Sequence, residues 1–282
     1  MNKIVFRAIL ITCLLMTFPF QLASAEPSPL RIHFLNVGYA DSILVELPDG
    51  RIVLIDGGDL DDGARLSDYL KAHRVRNIDA LIITHPHVNH FGGLFAILEE
   101  IPIQRVFVNG DTRVEEPYFE LLELIELRDV PIRTLKQGDQ IENLPEEVQL
   151  SVLHPRTFTE DANNNSLVLK LSYGNTSFLL TADIGPTVQE DLIKQDAERL
   201  AADVIQIPHH GGPISTAFSE AFSDVTFLIS TGKNEWALPR ADELNKLKGD
   251  ILRTDRDGTI LLESDGQNVT ILTKRESTYD TP

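Results

Sequence analysis

The sequence predicts an α/β fold in which two mixed sheets are flanked by helices. Three observations carry that prediction. Short apolar runs come in pairs across Gly- and Asn-containing turns, as the strands of hairpins do. Helical stretches are interspersed with the strands rather than following them as a block. One order of elements also occurs twice: hairpin, Asp, helix, strand, histidine cluster. From Asp56 to His85 is 29 residues, and from Asp183 to His209 is 26. We read this as an internal duplication that sets the two histidine clusters at matching strand ends, facing each other.

The amino-terminal stretch stands apart from that pattern. Lys3 and Arg7 precede an apolar run over residues 8–22, and Ala23-Ser24-Ala25 supplies small residues for cleavage. This is the pattern of a secretory signal peptide. Pro19 and the shortness of the run argue against a membrane-spanning helix. Residues 1–25 are therefore expected to be removed and residues 26–282 to form one domain. The expected location is secreted or periplasmic, with no stable membrane insertion after cleavage. Cys13 is the single cysteine and lies in the leader, so the mature chain has no disulfide and no thiolate ligand. Net charge is −18, and loss of Lys3 and Arg7 makes it −20. Such a surface repels phosphate backbones at long range and favours divalent cations.

The elements follow in order. Residues 30–35 and 42–47 read as strands, Pro48-Asp49-Gly50 as a turn, and 51–55 as the returning strand. Asp56-Gly57-Gly58 ends it, and 64–73 has the pattern of an amphipathic helix. Residues 80–84 are an apolar run that ends in His85-Pro86-His87-Val88-Asn89-His90. Pro86 and Gly92-Gly93 break regular structure around that cluster, and a helix follows over 94–100. Residues 115–128 read as helix, and 148–153 as a strand ending at His154-Pro155. A hairpin over 166–171 and 176–181 leads to Asp183. Then come a helix over 188–201 and a strand over 203–207, which delivers Pro208-His209-His210-Gly211-Gly212. A third hairpin over 259–272 turns at Ser264-Asp265-Gly266.

Six of the eight histidines sit at strand ends: His85, His87, His90, His154, His209 and His210. Imidazoles crowded in this way are suited to holding a divalent metal. His33, inside a strand, and His73, near a helix end, read as structural.

The stretch from His85 to His90 resembles the His-x-His-x-Asp-His signature of the metallo-β-lactamase superfamily. Several other stretches look like one branch of it. They are His33-Phe34-Leu35-Asn36-Val37-Gly38, Ala40-Asp41-Ser42, Asn164-Asn165-Ser166-Leu167, Leu180-Thr181-Ala182-Asp183, Pro208-His209-His210-Gly211 and Arg253-Thr254-Asp255-Arg256-Asp257-Gly258. That branch is the metallo-β-lactamase-like domain of ComEC, the bacterial DNA-uptake channel protein, and its stand-alone relatives. The likeness spans residues 30–272.

The resemblance implies an αβ/βα four-layer sandwich over the mature chain. It implies a metal-dependent hydrolase, a phosphodiesterase or nuclease using metal-activated water, and the signal-peptide pattern makes it an exported one. Its substrate would be a small-molecule or nucleic-acid phosphodiester. The implied cofactor is a divalent metal, one or two zinc ions, with manganese as the alternative. By resemblance, His85, His87 and His154 form the first site. Asn89 and His90, with one of His209 or His210, form the second, and Asp183 bridges the two. His209, directly after its strand, is the favoured ligand. His210 then faces the substrate, as a catalytic group beside Asp183, or supports the ligands from behind. Asp56 is expected to orient the first histidine loop.

Two positions depart from the family. Asn89 stands where the family has Asp, and a neutral amide is a weaker ligand, so the second ion is expected to bind less tightly. After Ser230-Thr231-Gly232-Lys233-Asn234, where relatives often have His-Pro, this chain has Leu238-Pro239, with Trp236 and Arg240 on either side. These departures motivate an alternative reading, a metal- or ligand-binding protein with little turnover. Lactonase or β-lactamase chemistry on the same metals is a third, because fold does not fix function.

Overall fold

Alternating apolar residues decide what each strand buries on its two faces. The computed structural model describes residues 28–112 and 116–273. The expected signal peptide and its cleavage point lie outside them.

The strands fall into two matching sets. The first is β1 (Leu30–Phe34), β2 (Ile43–Glu46), β3 (Ile52–Ile55), β4 (Ala80–Ile83), β5 (Val106–Val108) and β6 (Ile132–Thr134). The second is β7 (Val148–His154), β8 (Val168–Tyr173), β9 (Thr176–Leu180), β10 (Val204–Gln206), β11 (Ser223–Ile229) and β12 (Lys248–Arg253). Each set pairs consecutively, two antiparallel pairs and then three parallel ones. This is the duplication expected from the sequence. A last hairpin, β13 (Ile260–Ser264) and β14 (Val269–Leu272), joins the first sheet beside β1. The sheets therefore run β14-β13-β1-β2-β3-β4-β5-β6 and β12-β11-β10-β9-β8-β7.

Three apolar clusters make four layers. Leu30, Ile32 and Phe34 of β1 meet Val152, Leu169 and Phe178 between the sheets. Leu81 and Ile83, on the opposite face of β4, pack on Leu66 of α1 (Gly63–Ala72), Leu94 of α3 (Leu94–Glu100) and Tyr118 of α4 (Glu116–Leu127). A short helix, α2 (Val88–Phe91), precedes α3. Leu179 and Ile205 pack on Val188 of α5 (Pro186–Leu200) and Phe218 of α6 (Thr216–Ala221). Each such side chain, fully buried, contributes about 1.5–3 kcal/mol. The order helix, sheet, sheet, helix is the predicted αβ/βα sandwich. Among the described residues no helix is long and apolar enough to cross a membrane.

The topology also sets the site. In each set the parallel pairing aligns the carboxyl ends of the hairpin's second strand and of the next strand, β3 with β4 and β9 with β10. Asp56 and His85 follow the first two, and Asp183 and His209 the second two. The loops pack tightly: a Cβ on Gly93 would lie 2.3 Å from the Gly57 carbonyl oxygen.

Candidate metal centre

Asp183 is the hub of the site. It is 2% exposed, and its Oδ2 is surrounded by four imidazole nitrogens. The Nε2 atoms of His90, His210, His85 and His209 lie 3.3, 3.6, 3.8 and 3.8 Å away. Three of these rings are fixed from behind. His90 Nδ1 is 2.7 Å from Asp56 Oδ2, and His210 Nδ1 donates to the Ser230 carbonyl at 3.0 Å. His85 Nδ1 is 3.1 Å from Thr84 Oγ1. The Thr84 hydroxyl spends its one proton on Asp56 Oδ2 at 2.7 Å, so it accepts from His85. His85 and His210 therefore turn the lone pair of Nε2 toward Asp183, the orientation that outer hydrogen bonds impose on metal-binding histidines.

Asp56 is the common strut. Its Oδ1 accepts the Thr84 N–H at 2.8 Å, and its Oδ2 holds Thr84 and His90 together. Burial pushes its carboxyl above the ordinary range, although His90 opposes the shift. Burial also pushes His85 well down, with the neighbouring His90 adding to the effect. At His90 burial disfavours the charge, but Asp183 and Asp56 outweigh it and raise the group well above its ordinary value. At Asp183 burial again acts against the charge, while His210 and His90 outweigh it and hold the carboxyl well below its ordinary range.

The residues fit a cation. His90 Nε2, Asp183 Oδ1 and Asp41 Oδ1 are buried without a hydrogen-bond partner. Such atoms are costly unless something compensates them. His85, His90 and Asp183 offer ligand atoms within 4.8 Å of one another, as do Asp41, Asp183 and His210.

Two of the expected ligands are placed differently from the rest. His210, not His209, is the buried member of the pair, with side chains 1% and 31% exposed. His209 lines an open pocket of about 440 Å³, which His210 does not. The reason is local: both residues have positive φ, 53° and 54°, and the Ser230 carbonyl anchors the second ring inward. His154 is directed elsewhere, since its Nε2 donates to the Asn164 carbonyl at 2.8 Å. Burial lowers this group, and the Asn164 carbonyl opposes the shift. His87 Nδ1 rests 3.1 Å from His85 Nε2, and Asn89 Nδ2 is 3.0 Å from His210 Nε2. Both residues border the pocket.

Two other site residues, Asp41 and Tyr39, were given no role from the sequence. Asp41 is 2% exposed, 4.0 Å from His90 Nδ1, and accepts from Gln206 Nε2 at 2.9 Å. Its one sequence signal is its place in Ala40-Asp41-Ser42. Tyr39 stacks on Trp236, ring centroids 4.8 Å apart, at the pocket edge near Arg240. Asn234 ties the Trp236–Leu238 turn together: its Oδ1 accepts the Trp236 and Leu238 N–H groups at 3.1 and 3.0 Å.

Residues 35–252 match the metallo-beta-lactamase superfamily, and the chain belongs to that family. Within it the chain is ComEC-like. It is 27% identical over 273 residues to ComE operon protein 3 of Bacillus subtilis (strain 168), covering 88% of this chain and 34% of that one. It is 25% identical over 232 residues to competence protein ComA of Neisseria gonorrhoeae, covering 80% of this chain and 31% of that one. The chain thus spans about a third of the length of these curated relatives. Among solved structures, unliganded yeast PDE1 superposes with a TM-score of 0.53 at 11% identity, over 80% of this chain and 97% of that one. A diphosphatase of the PhnP family does so with a TM-score of 0.50 at 15% identity, over 84% and 99%. These structural likenesses establish the shared fold.

Proposed function

We propose that the chain is an exported, metal-dependent phosphodiester hydrolase in which His85, His90 and Asp183 hold one cation and Asp183, Asp41 and His210 a second. The supporting observation is the arrangement of those three rings. Each has one nitrogen fixed by a neighbour and the other turned toward the same carboxylate oxygen. A divalent ion in such a cradle, zinc or else manganese, supplies a Lewis acid and acidified water.

The chain's own residues do the rest. Asp183 concentrates negative charge where the cation sits, and Asp56, Thr84 and Ser230 hold the rings in register. Arg240 at the pocket edge offers a charged donor to a phosphate oxygen. The Tyr39–Trp236 stack offers an aromatic face to the organic part of the substrate. The contact of Asn89 with His210 favours one alternative, a binding protein with little turnover, because it occupies a lone pair that a second cation needs.

Turnover of bis(p-nitrophenyl) phosphate, with zinc and with manganese, tests the proposal. His210→Ala is expected to lose metal and to slow turnover by about 100-fold or more. His209→Ala is expected to keep its metal. Bound metal with no turnover of any phosphodiester would favour the binding protein. Turnover of lactones or β-lactams alone would favour the third reading. Mass analysis of protein recovered outside the cytoplasm is expected to find Glu26 as its first residue, and an intact Met1 there would refute cleavage.

A further inference from the structure

A second cluster lies away from the Asp183 centre. It joins His33 in β1, Glu46 at the end of β2, and His73, which caps the carboxyl end of α1. Glu46 pairs with Ile52 at the start of β3, whereas Ile43 pairs with Ile55, next to Asp56. The cluster is therefore at the far end of the β2–β3 hairpin from the main centre. The sequence kept His33 and His73 apart, and the packing of α1 on the sheet unites them.

The three groups converge on one point. His33 Nε2 is 3.2 Å from Glu46 Oε1, and His73 Nδ1 is 3.7 Å from the same oxygen. All three ligand atoms lie within 4.8 Å of one another. A tetrahedral zinc site with bonds of about 2.0–2.1 Å has ligand–ligand separations of about 3.4 Å, which the first two distances bracket. His33 is 1% exposed, and its Nε2 is buried with Glu46 Oε1, at 3.2 Å, as its polar neighbour and no hydrogen bond of good geometry. The other ring nitrogen, Nδ1, meets the Tyr69 hydroxyl at 2.8 Å. That contact aims Nε2 into the cluster, as outer partners do at metal-bound histidines.

The charges agree with the geometry. Arg31 Nη1 is 3.8 Å from Glu46 Oε2, and its Nε donates to Glu263 Oε1 at 2.6 Å, so Glu46 Oε1 is left to the histidines. Burial pushes the Glu46 carboxyl up, but its contacts with His33, His73 and Arg31 outweigh this and hold it well below its ordinary range. Burial lowers His33, against the pull of Glu46. An anionic carboxylate beside a neutral imidazole is the protonation state that cation binding requires.

We propose that His33, Glu46 and His73 form a second zinc site, with water as the fourth ligand, that clamps α1 to the first sheet. Two histidines and a glutamate are an established zinc donor set. The site stands independently of what the Asp183 centre does.

Equilibrium dialysis of the chelator-treated full chain against zinc alone tests it, with cobalt absorption reporting tetrahedral geometry. The Asp183→Ala variant, checked for folding by circular dichroism, is expected to retain one zinc per chain. Adding Glu46→Gln or His73→Gln to it should weaken that ion at least tenfold. In the wild-type background each of these two changes should lower zinc content by one ion, which covers the case in which Asp183→Ala does not fold. The proposal fails if a folded Asp183→Ala protein binds no zinc, since the cluster would then be a proton-sharing network only. It also fails if zinc content is indifferent to both Glu46→Gln and His73→Gln.

Discussion

Asn89 donates from Nδ2 to His210 Nε2 at 3.0 Å, so an amide proton occupies the lone pair that would face a cation. Asn89→Asp removes that donor and adds a negative charge while keeping the shape. A unit charge about 4 Å from another is worth about 4 kcal/mol at an effective dielectric near 20, before desolvation is subtracted. Asn89→Asp is therefore expected to tighten a second cation by tenfold or more and to raise turnover with it. Calorimetric titration and the phosphodiester assay on one preparation check this. Wild-type stoichiometry and rate in the variant would refute it. The departure at Asn89 was legible in the sequence through the resemblance of residues 85–90 to the His-x-His-x-Asp-His signature. Which of His209 and His210 is buried was not, because it depends on two left-handed backbone conformations and one distant carbonyl. Asp41 was equally hidden, because its role requires β1, β3 and β10 to converge. Glu46 permits a prediction about pH. Its folded value is depressed, so its contribution is present above the unfolded value of 4.5 and is lost as pH falls through and below it. In chelator, the thermal midpoint of the wild type should exceed that of Glu46→Gln at pH 4.5. The gap should narrow from there toward pH 3, and a gap that widens over that interval would contradict the assignment.

At the scale of elements, what could be read was whatever repeats. Hairpins, helices and histidine clusters recur in one order, and their alternating apolar residues mark the faces that the structure buries in three clusters. The strands missed from sequence are those with little pattern to show. β5 and β6 have three residues each, and β11 and β12 begin exposed. Pairing in the sheet, not local pattern, makes them strands. The loops between elements hold the site by close approach. Gly93 has almost no room, since a Cβ there would lie 2.3 Å from the Gly57 carbonyl oxygen and 3.2 Å from Gly63 Cα. Backbone atoms cannot step aside as a side chain can. Gly93→Ala is expected to cost about 3 kcal/mol, through strain between the two loops that carry Asp56 and His90. Urea denaturation measures that loss, and metal affinity should fall with it. A variant with wild-type stability would mean that these loops yield more readily than their packing implies.

At the scale of the whole molecule, the charge of −18 acts over distances that no single contact spans. At 0.1 M salt the screening length is about 10 Å, so at lower salt a polyanion feels much of that field before it reaches the pocket. A small phosphodiester with one charge is repelled far less. Divalent cations are drawn toward the same surface, which helps to fill the Asp183 centre. The consequence is a substrate preference that depends on salt. At low ionic strength, kcat/KM for bis(p-nitrophenyl) phosphate should exceed that for single-stranded DNA, counted per phosphodiester bond. The ratio should fall as added salt screens the repulsion, because only the polymer gains. Arg240 and the Tyr39–Trp236 stack lie at the pocket, where either substrate would meet them, so they should not alter the trend. The opposite slope would be decisive. If DNA is preferred at low salt and its rate falls linearly with the logarithm of salt concentration, phosphate contacts outweigh the net charge. The acidic surface would then have no part in choosing the substrate.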